Sequence, residues 1–487
     1  MDWKHRIKSI CPMSSVETDP AVINACLPAN PFCSQGVPPL MIVRPASVDE
    51  LAALIVEANK HQLNLTLTSS LPPHRKTGCS AESEHIRIDL SGWSRILHVD
   101  RRNRVAMIQP GVTYGQLNAE LSRHGMTIPT PLTPRREKSV LATVMDREPT
   151  TWPNKQWDIS DPVASTELIF GTGDLFRTGA AGGPGSLQEQ RSTGGAQKSP
   201  LGPSQTDFHR LVQGSQGTMA AVTWITIRTE LKPSIHEAWL IGSPSLEPLI
   251  AFTYDVQRPL LGEHMFILNR DSAAALMMAE SSEFESIRQS LPPYLVLQTV
   301  AGFERLPKER VAYQQADIDQ IARSHGLAMA NNLGKLSAQG LMAQALSTKN
   351  ESGWRQGFPG HVLSIFFLTT MDKAPQLVHL FEAQIKDARL NPHRLGLYIQ
   401  PMVQNHLCHV ELLVYGIGES PPEIENYKRR EQRAVQALAD AGAFFSRPYG
   451  AASNITFAHN PAAFDILKKM KAIFDPQHIF NRGKWGL

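Results

Sequence analysis

The sequence predicts an α+β protein in two main parts: a two-subdomain N-terminal unit reaching to about residue 233, and a following α+β domain with an antiparallel sheet. Three observations carry this. The chain has 487 residues, too many for one ordinary domain. Residues 40–67 read as strand, helix, strand, and more strands follow as far as Thr229. Beyond Pro233 the pattern becomes strands mixed with helices, up to about residue 445.

Leu40-Met41-Ile42-Val43 is a short apolar strand punctuated by Pro45. Ser47 stands three residues before Glu50, the spacing of a capping box, and Leu51, Leu54, Ile55 and Ala58 give the helix after it one apolar stripe. Leu63, Leu65 and Leu67 alternate with polar residues, as in a half-buried strand. Strands follow over 86–90, 96–99 and 104–108, then a helix from Tyr114 to Arg123. A strand from Ser165 to Phe170 turns at Gly171-Thr172-Gly173-Asp174 into Leu175-Phe176-Arg177, a hairpin. Residues 179–206 are rich in Gly, Pro, Ser and Gln without apolar periodicity, so a long exposed, mobile loop is expected. Thr218 to Thr229 is strand-like.

In the second part, His361 to Thr370, Arg394 to Gln400 and Cys408 to Tyr415 are the clearest strands. Cys408, Val410, Leu412 and Val414 share one face; His409 and Glu411 lie on the other. Leu395, Leu397 and Ile399 likewise oppose Tyr398 and Gln400. Such a polar face either roofs a site or meets water. A last helix, Phe464 to Phe474, offers Leu467, Met470, Ile473 and Phe474 as its core.

Composition excludes several classes. Apolar residues are 42%, charged residues 19% and the net charge is +3, so the chain has a globular balance with no nucleic-acid-binding excess of charge. The densest basic run, Lys428-Arg429-Arg430, sits in a helical stretch and reads as a solvated face. No signal peptide is expected, and no apolar run approaches the ~20 residues of a membrane span. The five cysteines are scattered, which argues for a reducing, cytoplasmic setting. His406 and His409 are an odd number apart and point to opposite faces of a strand, so no metal is expected from that pair. His409 with Glu411 remains as an alternative.

Read in order, several segments resemble one family, the FAD-linked oxidases of the vanillyl-alcohol oxidase and p-cresol methylhydroxylase type. They are "MIVRPASVDELAALIVEANKHQLNL", "IRIDLSGWSRILHVD", "AMIQPGVTYGQLNAEL", "ELIFGTGDLFRTGAAG", "LVQGSQGTMAAVTWITI", "LGLYIQPMVQNHLCHVELLVYG" and "IFDPQHIFNRGKW". The resemblance implies a PCMH-type FAD-binding domain over 1–233, a substrate cap over 234–454, and a return to the FAD domain over 455–487. It implies FAD as cofactor, hydride transfer from a small aromatic or hydroxylated substrate, an oligomer, and an electron-transfer protein or sister subunit as partner. The family's glycine-rich pyrophosphate loop is replaced here by Thr68-Ser69-Ser70-Leu71-Pro72-Pro73-His74-Arg75-Lys76, where the two prolines supply no amide donors. Ser69, Ser70, Arg75 and Lys76 would then hold phosphate by side chain. A second glycine-rich loop is altered to "VLATVMDREPTTWPNKQWD". A flavin-poor subunit kept for assembly is the rival reading.

Carried residue by residue, the resemblance puts Gly111, Ser139, Thr143, Gly217 and Val222 against the cofactor. It also brings Asn481 and Lys484 of the tail toward the flavin, against the plainer reading of a helix-terminating tail. His74 lies in the loop that bears a covalent flavin link in some relatives, or is simply an exposed loop histidine. Asp158 falls at a family Gly-Asp step whose carboxylate is a general base near the flavin, or else caps a turn. Tyr449 matches a phenol-binding Tyr-Arg pair, but Gly450 replaces the arginine and Arg447 stands two residues earlier as its substitute. Tyr449, Arg447, His409 and Asp158 are the catalytic candidates.

Overall fold

The structure is a computed structural model that describes residues 3–27, 30–32, 36–72, 81, 83–157, 161–193, 197–202, 208–277, 281–348, 360–385, 395–402 and 406–486. Two sheets form the N-terminal part. A four-stranded sheet runs in the order Ser15–Glu17, Met41–Arg44, Ile86–Asp89, Leu65–Thr68, with its last three strands parallel. A five-stranded antiparallel sheet follows the order Ile96–Asp100, Val105–Ile108, Ala220–Arg228, Val163–Phe170, Leu175–Arg177.

Local chemistry sets the helices that cover them. Ser47 Oγ accepts from the Glu50 amide at 3.2 Å to start the helix Val48–His61, whose Leu51, Leu54, Ile55 and Ala58 are all buried. The Glu50 carboxylate takes the amides of Ala46 and Met13 and the hydroxyl of Ser14, so only half of the capping box forms. Thr113 and Gln116 make a complete box for Tyr114–Arg123, which buries Tyr114, Leu117 and Leu121. The 163–177 hairpin pairs Ile169 with Leu175.

Three local expectations are corrected. The strand Leu65–Thr68 is buried on both faces, with Thr66 fully covered, because a parallel sheet is packed from both sides. Residues 179–193 and 197–202 are exposed over most of 182–193, as expected, but are ordered and anchored at a few buried points. Ala181 sits in a cluster with Met107 and Trp224, a helix spans Leu187–Ser192, and Gln190 and Gln197 are buried and bonded to each other. Polar side chains anchor this segment, which is why apolar periodicity missed it; residues 194–196 and 203–207 lie outside the described residues. The last helix, Pro461–Phe474, buries Lys471 rather than an apolar core, and Ile473 is 68% exposed.

The second part is a seven-stranded antiparallel sheet in the order Met329–Ala330, Ile235–Ser243, Tyr294–Gly302, Met265–Asn269, Leu395–Met402, Leu407–Ile417, His361–Thr369. Cys408, Val410, Leu412 and Val414 join the larger core beneath the helices Glu247–Gln257, Ala374–Ile385 and Pro421–Asp440. On the opposite face, Leu413 and Tyr415 are covered by the helix Arg270–Met277. The same face turns toward the N-terminal part at His409 and Glu411. The tail returns to the four-stranded sheet: Leu65 N–H donates to Ile479 at 2.6 Å, and Asn481 N–H donates to Leu65 at 2.8 Å.

Candidate active site

A cavity of about 470 Å³ lies between the two parts, a size suited to a small molecule. One wall is Leu67, Ser69, Ser70, Pro110, Gly217 and Val222; the facing wall is Phe366, Tyr398, His409, Glu411, Arg447 and Tyr449. The polar face of the cap strands therefore roofs a site and does not meet water. Strand register delivers it: Phe366, Glu411 and Tyr398 stand directly opposite one another across three neighbouring strands. Glu411 accepts from Ser364 Oγ at 2.7 Å and faces His409 Nε2 at 3.8 Å, both side chains being almost fully buried. The His409 ring meets Phe366 and Tyr398 at centroid distances of 5.8 and 5.9 Å.

Beside this pair is a second polar group. The Tyr449 hydroxyl donates to Asp146 Oδ1, Arg447 reaches Asp146 Oδ2 at 3.3 Å, and the Arg447 guanidinium lies 4.5 Å over the Phe366 ring. Burial, reinforced by Asp146, holds the Tyr449 phenol well above its ordinary range, so it stays protonated. Gln216 Nε2 donates to Pro448 at 2.7 Å and fixes this loop to the N-terminal part. Gly450 has φ 55°, a conformation that L side chains avoid, so an arginine at that position would be strained. Arg447 supplies the positive charge beside Asp146 instead.

Glu431, on the helix Pro421–Asp440, also lines the cavity, and burial pushes its carboxyl up to about 7. The folded state then keeps a proton that the unfolded chain releases near pH 4.5. Stability should fall by up to about 3 kcal/mol as pH rises from 4.5 to 7 on this account. Glu431→Gln should flatten that part of a denaturation-against-pH profile; an unchanged slope would refute the assignment.

The structure spreads the other sequence candidates. Ser70 Oγ accepts from the Ser139 amide at 3.1 Å, while Ser139 Oγ donates to Pro110 and caps the helix Val140–Met145. Thr143 donates to Ser139 O and lines a neighbouring, smaller cavity. Gly111 lies behind the wall, where a Cβ would come within 2.1 Å of Ser91 O. Its role is close packing. Lys484 lies in the tail and does not line the cavity. His406 is exposed, away from the buried His409. His74, Arg75, Lys76 and Asp158 lie outside the described residues. Sequence reasoning missed Asp146, which only its partner Tyr449, 303 positions away, reveals.

The residues present fit FAD. Ser215 Oγ and Thr133 Oγ1 line the cavity, are buried, and have no hydrogen-bond partner among the described residues. An unmatched buried hydroxyl costs about 1–3 kcal/mol, so a polar ligand is its natural complement. Gly217, at φ 72°, lets the backbone run against the tail, since a Cβ there would lie 2.8 Å from Asn481 Nδ2. Asn481 donates to Gln216 O at 2.6 Å and leaves its Oδ1 buried and unpaired.

Residues 39–179 match the family described as an FAD binding domain. The chain is 20% identical over 463 residues to a D-2-hydroxyglutarate dehydrogenase of Stutzerimonas stutzeri, covering 92% of this chain and 90% of that protein. It is 21% identical over 500 residues to a D-lactate dehydrogenase of Archaeoglobus fulgidus, covering 97% and 99%. Among solved structures, 4-ethylphenol oxidase from Gulosibacter chungangensis superposes with a TM-score of 0.82 at 16% identity, covering 99% of this chain and 97% of that one. Substrate-bound p-cresol methylhydroxylase does so with a TM-score of 0.80 at 14% identity, covering 99% and 96%. No helix among the described residues is long and apolar enough to cross a membrane. With an FAD binding domain over residues 39–179 and the fold of p-cresol methylhydroxylase over 99% of its length, the chain is an FAD-linked oxidoreductase.

Proposed function

We propose that this enzyme oxidises a small hydroxylated aromatic substrate held between Val222 and Gly217 on one side and His409, Tyr398 and Phe366 on the other. The single observation that supports it is the composition of the facing wall, three aromatic rings around one buried imidazole–carboxylate pair. FAD, when bound, supplies the acceptor for the substrate's hydride. His409 takes the hydroxyl proton, and Glu411, held by Ser364, orients the imidazole and balances the charge it gains. Tyr449 stays protonated on Asp146 and orders that side of the cavity. The relatives named for 2-hydroxy acids suggest a carboxylate substrate, but Arg447 is already matched by Asp146 here. That favours a neutral or phenolic molecule.

Anaerobic mixing of the flavin-loaded protein with benzylic alcohols and 4-alkylphenols should bleach its visible flavin absorbance, with D-2-hydroxy acids slower by an order of magnitude or more. Bleaching by the hydroxy acids alone would overturn the substrate class. Failure of the purified protein to take up FAD, even in excess, would return it to the role of an assembly subunit.

A further inference from the structure

At the edge of the cap sheet, outside the cavity, Glu263 lies between two histidines. Its carboxylate is 3.0 Å from His236 Nε2 and 3.6 Å from His264 Nε2, and the three donor atoms all fall within 4.8 Å of one another. Glu263 is 5% exposed, yet neither of its oxygens has a hydrogen bond of acceptable geometry among the described residues. A buried carboxylate in that condition requires a positive partner.

Hydrogen bonding settles which nitrogen of His264 faces it. Thr151 Oγ1 donates to Thr130 O at 3.2 Å, so at its 2.9 Å contact with His264 Nδ1 the threonine accepts and the ring nitrogen donates. In the neutral ring Nδ1 then carries the proton, and the Nε2 lone pair faces the Glu263 carboxylate 3.6 Å away. Lone pair against carboxylate is repulsive unless a cation stands between them. Thr299 Oγ1 accepts from the His264 amide at 2.9 Å and hydrogen-bonds His236 Nε2 at 3.1 Å, the latter a contact that Nε2 gives up on coordinating an ion.

We propose that His236, Glu263 and His264 bind a zinc-type divalent cation, with water completing the coordination. Two imidazoles and one carboxylate are a donor set that such borderline ions accept. Ligands roughly 2.0–2.1 Å from a tetrahedral ion stand about 3.3 Å apart, and the two Glu263 contacts, 3.0 and 3.6 Å, straddle that value. The Nδ1–H donated to Thr151 is the outer contact that fixes a ligating histidine's tautomer. Through it the ion ties the cap strands Ile235–Ser243 and Met265–Asn269 to the loop carrying Thr151, whose carbonyl also accepts from the Met265 amide at 3.1 Å. The ion's role is structural, joining the cap to the FAD-binding part. Histidines 28 positions apart give no ligand spacing that sequence reading recognises.

The test is elemental analysis of the purified full-length flavoprotein after dialysis against excess Zn²⁺ and then metal-free buffer. About one equivalent per chain is expected, with a rise in Tm reversed by chelator. His236→Ala, at the more exposed ligand, and Glu263→Gln should each retain less than a tenth of an equivalent while keeping their flavin. If Glu263→Gln does not fold, His236→Ala decides alone. No zinc on the parent protein, or a full equivalent on His236→Ala, overturns the site.

Discussion

Replacing His409 by alanine should slow flavin reduction by about 10²–10⁴-fold, the loss expected when a positioned general base is removed. The side chain is 2% exposed, lies against Phe366 and Tyr398, and has Glu411 behind it. His409 stands on the cap strand Leu407–Ile417, across the cavity from Gly217 and Val222, so flavin content should be unchanged and the defect should appear in the reductive step. Glu411→Gln keeps the Ser364 contact but removes the charge that favours a protonated imidazole. Its defect should be smaller and should narrow as pH rises and the substrate ionises by itself. Rapid-mixing measurement of flavin bleaching separates the two. Reduction of the His409→Ala protein at the parental rate would remove the base from this residue.

Lys471→Met should lower stability by about 3–5 kcal/mol, the cost of leaving a buried charge without its partner. Lys471 is fully buried, and its ammonium donates to Asp475 Oδ2 at 2.6 Å, Thr218 O at 2.6 Å and Phe480 O at 2.9 Å, using all three protons. Asp475 in turn accepts the amides of Ile479 and Phe480. Methionine fills the volume but leaves the carboxylate and two carbonyls unmatched. The group holds the tail against Thr218 and so holds Asn481 beside Gly217. Flavin retention should therefore weaken together with stability. Urea denaturation should show a lower midpoint at unchanged slope. A loss below 1 kcal/mol would mean that the tail docks by other contacts.

Where local chemistry decides, the sequence was legible. Ser47 caps its helix where its spacing implies, although only half of the box forms, and the 163–177 hairpin forms around Gly173 at φ 91°. The strand faces at 395–400 and 408–415 were readable too, because alternation is a property of the strand itself. The ordered set of motifs supported the fold, since each marks a turn or a strand of the FAD-binding frame.

Burial was less legible. Lys471 reads as a surface residue of an amphipathic helix until Asp475 and the carbonyls of Phe480 and the distant Thr218 are seen around it. Gln190 and Gln197 look like loop residues until the sheet is found beneath them.

The sequence by itself determined the main strands and helices, their order, the FAD-binding frame, and that His409 and Glu411 share a strand face. Tertiary structure alone decided that this face roofs a cavity, that Asp146 meets Tyr449 and Arg447, and that Glu263 comes to lie between two histidines. The physical reason is range: caps, turns and alternation act over a few residues, whereas a site is made by charges and rings that meet only after distant strands have paired.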